Sequence, residues 1–113
     1  LNYKMNNVEY NLLAYVKEPN EVLPITVKFI SVLNKYIKFS EAVATKWKRE
    51  SPENVESANT IMMSSFPIIE SSNSVKILLA GGDDGYDYKI SITAILDNDD
   101  TLYEEVFVRV RQD

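Results

Sequence analysis

The chain has 113 residues, 45% of them hydrophobic and 26% charged, with a formal net charge of −5. That is enough for one domain with its own core, and its acidic balance argues against a nucleic-acid footprint. With no Cys and no His, disulfides, thiol catalysis, thiolate metal sites and the commonest general base are all excluded, leaving carboxylate chemistry, a Ser–Lys pair or an oxygen-ligated ion.

No apolar run approaches the roughly 18 residues of a membrane span, and nothing at the N-terminus reads as a signal peptide. Residues Leu1 to Asn7 read as a frayed lead-in, and Leu12 to Lys17 as a first strand that stops at the Pro19-Asn20 turn signal. Residues 1–18 are therefore set apart from a domain over 19–113. In "VLPITVKFI", Ile25, Val27 and Phe29 alternate with Thr26, Lys28 and Ile30, the period of a half-buried strand. Pro24 lacks an N–H and belongs at the strand start or on an edge. "SVLNKYIKFSEA" fits either a short helical turn or a loop followed by a strand.

Further on, Val43, Thr45 and Trp47 share one face, read as the buried one, against Ala44, Lys46 and Lys48. "ESPENVES" reads as a polar break. "ANTIMMSSF" reads as a short strand with Ile61 and Met63 inward, and Pro67 with "ESSNS" breaks the pattern again. The last third is the most regular. Val75, Ile77 and Leu79 share a face; a turn holding all three glycines follows; Tyr88, Ile90, Ile92, Ala94 and Leu96 then alternate with Asp87, Lys89, Ser91 and Thr93. After the "DNDD" loop, Val106, Val108 and Val110 alternate with Glu105, Phe107 and Arg109. About seven short strands with no long helix predict an all-β, antiparallel β-sandwich.

Trp47 on the third strand, Tyr88 opening the longest one and the closing valines together look immunoglobulin-like. "PNEVLPITVKF", Trp47, "VKILLAGGDDGYDYKISI" and "EEVFVRV" are similar in order and spacing to the small immunoglobulin-like fibre–tail adaptors of tailed bacteriophages. The hairpin is the most telling part, since Gly81, Gly82, Gly85 and Tyr88 match the family's G-G-x-x-G-x-x-Y spacing. The similarity runs from Pro19 to Arg111. It departs at Phe29, where Trp is usual, at Ile25, where Tyr is common, and in a longer Ser31 to Glu41 stretch. The resemblance implies a non-enzymatic virion protein, assembled in the bacterial cytoplasm. It would join tail or neck to fibre by protein–protein contacts, as a ring of copies, with no cofactor, nucleic acid or membrane partner. The alternative is an extracellular adhesion or carbohydrate-binding immunoglobulin-like module.

Each candidate site has a plainer reading beside it. Gly81, Gly82 and Gly85 could cradle a phosphate, but a strand rather than a helix follows and the aspartates would repel an anion; reversal of two strands accounts for them. Asp83, Asp84 and Asp87 lack the spacing of a calcium loop and the closing Glu, and Asp97, Asp99 and Asp100 lie a strand length away. Glu104 and Glu105, as neighbours, point to opposite faces and make no glycosidase pair. Trp47 is expected in the core and Tyr88 at a structural corner. Tyr86, Tyr103 and Phe107 are expected on faces turned away from the core, as a partner-contact surface. Lys46, Lys48 and Arg109 are expected to blunt sheet edges.

Overall fold

The computed structural model describes residues 14–112 in full and the backbone of residues 2–5 and 8–11. Strands β1 (Asn2–Met5) and β2 (Val8–Asn11) pair with each other as an antiparallel hairpin, so a strand lies within Leu1 to Asn7, where the sequence suggested a frayed lead-in. Of the expected first strand, Leu12 and Leu13 lie outside the described residues, and Tyr15–Lys17 forms β3.

Eight strands build two facing sheets. β3, β5 (Ile37–Lys48), β6 (Ser51–Ser57), β9 (Tyr86–Leu96) and β10 (Thr101–Val110) form one sheet in the order β3-β10-β9-β5-β6. β4 (Leu23–Lys28), β7 (Ile68–Ser71) and β8 (Ser74–Leu79) form the other in the order β4-β8-β7. All pairings are antiparallel except β3 with β10. The β-sandwich expected from the alternation is the architecture found.

The alternation places the core. Ile25, Val27 and Phe29 from β4 and the residue after it lie beside Val75, Ile77 and Leu79 of the neighbouring β8; in the other sheet stand Ile90 and Ile92 of β9 and Val108 and Val110 of β10, all buried. Each such side chain contributes roughly 1.5–3 kcal/mol relative to exposure. β4 is an edge strand. Phe29 N–H donates to the Asn73 carbonyl, so odd-numbered residues of this strand turn their N–H groups toward β8 and Pro24 falls on the outward side, where no donor is needed.

Three segments differ from the sequence expectation. The stretch after Phe29 is a loop with a tight turn, followed by β5, so the loop-plus-strand alternative is the one realised. Within "ESPENVES", Ser51–Ser57 is β6, an edge strand exposed along most of its length, which is why no alternation marked it. "ANTIMMSSF" is not a strand: Asn59–Ile61 is a 3₁₀ turn, Ile61 and Met62 are buried, and Met63 is exposed. This segment stitches the sheets together. Ala80 N–H donates to the Ile61 carbonyl and Met63 N–H to Leu78 on one side; Ala42 N–H donates to the Ser65 carbonyl and Ala44 N–H to Asn59 Oδ1 on the other.

Candidate functional site

The glycine corner joins β8 to β9. Gly82 has φ +100°, and a Cβ there would lie 2.9 Å from Val110 Cγ2, so both backbone and space demand glycine. Gly81 and Gly85 also have positive φ. Asp83 N–H donates to the hydroxyl of buried Tyr88 at 2.8 Å, and Gly85 N–H to the Val110 carbonyl at 3.1 Å. The Tyr88 phenol is pushed above its usual pKa, chiefly by burial, against the lowering effect of the Asp83 N–H.

Each acid of the corner is bonded to another part of the chain, Asp83 and Asp84 at the surface and Asp87 in the interior. Asp83 Oδ2 accepts from Lys46 Nζ at 2.6 Å, which raises the lysine pKa, while Asp84 Oδ1 accepts from Gln112 N–H at 2.8 Å. Asp87 is fully buried and held by Arg109 Nε at 3.0 Å, Arg109 Nη2 at 3.2 Å and Arg49 Nε at 3.3 Å. Arg49 also bonds the Val110 carbonyl. On the other flank, buried Lys17 donates to the Gly81 carbonyl at 2.6 Å and to the Glu18 carbonyl at 2.7 Å. Burial lowers its pKa, partly offset by Glu21. Among the described residues no group of three or more acids is placed to hold a metal ion.

Trp47 is only 5% exposed, yet it lies outside the core between the sheets. It pairs with Asp87 in the β5–β9 register, on the same outward face as Val43 and Thr45. The three residues do share a face, as the alternation predicts, but it is the other face: β5 gives Ala42 and Ala44 to the core. Tyr86 is corrected in the opposite sense. It has the parity of Tyr88, packs against the core edge, and lies under Lys46 Nζ at 4.8 Å and Lys48 Nζ at 6.0 Å.

Tyr103 and Phe107 do sit on the outward face of β10, paired with Thr93 and Lys89 of β9. Tyr103 is 55% exposed and Phe107 half-buried. With Tyr86 at the corner, the expected trio does not form one surface. Lys46, Lys48 and Arg109 lie on β5 and β10, which have a neighbour on both sides, so they blunt no edge.

Sequence reasoning missed the most exposed apolar residues. Leu33 and Ile30, 85% and 72% exposed, stand on the loop between β4 and β5. Along the seam beside β5, Phe66 meets Phe39 with ring centroids 5.9 Å apart. The clue in the sequence is "SVLN", where an Asn follows apolar residues at a turn, but a helical spacing of Val32, Leu33, Tyr36 and Ile37 competed with it. The surface also carries two shallow depressions, the second of which Phe66 helps to line. One is lined by Glu41, Val43, Ser91, Thr93 and Tyr103, the other by Met63, Phe66, Pro67, Ile68, Lys76 and Leu78.

No family model matches the chain, and no curated protein or solved structure matches it either.

Proposed function

We propose that this is an immunoglobulin-like, non-catalytic binding module working through protein–protein contacts, of the kind that joins tail or neck to fibre in a tailed phage. Two structural features favour the immunoglobulin-like reading. The order β4-β8-β7 facing β10-β9-β5-β6 follows strands B-E-D facing G-F-C-C′ of a variable-type domain, with β3 added beside G. Tyr88, near the start of the F-like strand, ties its hydroxyl to the backbone of the preceding corner. Trp47, outside the core, departs from that pattern.

The observation that carries the binding role is a contrast in how side chains are used. The acids and cations of the corner are bonded to one another, while large apolar side chains such as Leu33, Ile30 and Phe66 face solvent. The virion role rests on the G-G-x-x-G-x-x-Y hairpin and the motifs around it. Its test is capture of neck, tail or fibre proteins of the encoding phage or prophage by the tagged domain. Stoichiometric capture of one of them supports the adaptor role; failure to bind any of the set overturns it.

A second reading, glycan binding, is favoured by the depression at Tyr103. An exposed ring beside Thr93, Ser91 and Glu41 offers a stacking surface with hydroxyl and carboxylate partners. A glycan array with Tyr103→Ala as control separates the two.

A further inference from the structure

We infer that the β1–β2 hairpin is a strap laid across the outward face of the five-stranded sheet, closing it over Trp47 and able to lift while the sandwich stays folded. The inference goes beyond the adaptor reading and does not depend on it.

The register sets the outward side chains of this sheet in rows. Nearest the glycine corner, Trp47 of β5 stands in line with Asp87 of β9, Arg109 of β10 and Val16 of β3. The next row holds Thr45, Lys89 and Phe107, and the one after it Val43, Ser91 and Glu105. Burial rises steeply toward the corner. Val43 is 57% exposed, and Tyr103 one row further is equally open, whereas Thr45 Oγ1, Trp47 and Asp87 are closed off. The arginines bonded to Asp87 account for its cover. An indole that points out of the pleat needs a layer above it, from outside its own sheet.

The path of the chain supplies that layer. β3 and β6 are opposite edges of the sheet, four strand spacings or roughly 19 Å apart. β3 enters at the flank, level with Val108, and the hairpin that precedes it by three residues has β1 lying beside β6. The inner face is filled by the second sheet, so the way from one edge to the other runs over the outer face. Seven residue steps from Val8 to Tyr15 span at most about 25 Å, enough for that crossing. Pro52, on β6 across from the break in register at Trp47, is buried as well. The closed patch therefore extends to the strand that β1 reaches.

The strap is a separate unit. Among the described residues, β1 and β2 pair with each other and share no ladder with either sheet of the sandwich. A two-stranded hairpin is marginal by itself and depends on the surface beneath it. Lifting it gives up that contact and leaves both sheets bonded, so it opens at a fraction of the global free energy. With the strap down, this face offers Val43 and Tyr103. With it up, Trp47 joins them, so the strap sets how much aromatic surface the face presents.

Trp47 is the single tryptophan of the chain, which makes its emission a direct reading of the strap. In the full chain the indole is expected to emit in the blue and to resist acrylamide. Tyr3→Pro together with Lys4→Pro removes the N–H from two successive positions of β1, one of which must face β2. The variant should keep a cooperative urea transition by circular dichroism, while its emission moves to the red and acrylamide quenching rises severalfold. In the unaltered chain, hydrogen exchange should show the amides of β1 and β2 opening at least about tenfold more often than those of β9. A wild-type indole open to acrylamide would overturn the inference, as would a folded variant with unchanged quenching. So would a variant that loses its cooperative transition, or hairpin amides that exchange only with global unfolding. None of these results bears on capture of a tail or fibre protein, on which the adaptor reading stands or falls.

Discussion

The two ends of the sandwich handle polar and apolar groups in opposite ways. At the glycine corner, Asp83, Asp84 and Asp87 are matched by Lys46, Gln112 N–H and two arginines, and Tyr88 and Lys17 bury their polar tips against backbone. At the far end the backbone is equally well bonded through Tyr36, Asp97 and Asn73, but the side chains at the loop tip are apolar and in water. At the corner each acid is bonded within the chain, Asp83 and Asp84 at the surface and Asp87 fully buried. The exposed apolar side chains of the other end, Leu33 and Ile30, contribute nothing to the core.

Substitutions should divide along the same line. Asp87→Ala strands two arginines in a partly closed setting, and breaking a buried ion pair of this kind costs about 3–5 kcal/mol; a urea titration should show the loss as a lowered midpoint with unchanged slope. Gly82→Ala forces a Cβ against Val110 at φ +100°. The expected loss is about 3 kcal/mol, from overpacking and backbone strain together, read in the same titration.

Tyr88→Phe removes one hydrogen bond, about 1 kcal/mol at neutral pH. It also changes the alkaline limb. The folded phenol titrates above the unfolded value of ~10, so above that pH the native state holds more protons and stability falls as pH rises. Lys46, also raised, loses its contribution in the same direction, whereas Lys17, lowered by burial, works the other way. A stability–pH profile of Tyr88→Phe should lose part of the alkaline decline; an identical decline would mean that Tyr88 is not its source.

The smallest effect is expected at the other end. Leu33→Ser should change stability by no more than about 0.5 kcal/mol, because its side chain makes no core contact. A loss of several times that size would erase the contrast between the two ends.

How legible each region is in the sequence follows from what its side chains face. β4, β8, β9 and β10 alternate between core and solvent, so Ile25, Ile77, Ile90 and Val108 announce themselves at a period of two. The corner is legible because three glycines and a tyrosine at fixed spacing have few other uses. β6 is hidden because an edge strand exposed over most of its length has no apolar face to display. β5 misleads for a different reason: its small residues, Ala42 and Ala44, face the core while Val43 and Trp47 face outward, so side-chain size points to the wrong side. The ion cluster on Asp87 is invisible in one dimension, since Arg49 reaches it from the β5–β6 turn and Arg109 from β10.

The parallel pairing of β3 with β10 has a mechanical consequence. Tyr15, Val16 and Lys17 lie alongside Val108, Arg109 and Val110, and Arg111 N–H closes the pair on the Lys17 carbonyl. Tension drawn between the chain before Tyr15 and the chain after Val110 pulls these strands past one another lengthwise. The bonds between them, with the Lys17 ammonium on the Gly81 carbonyl behind them, then carry the load together instead of parting one at a time, as they would in a hairpin pulled open from its ends.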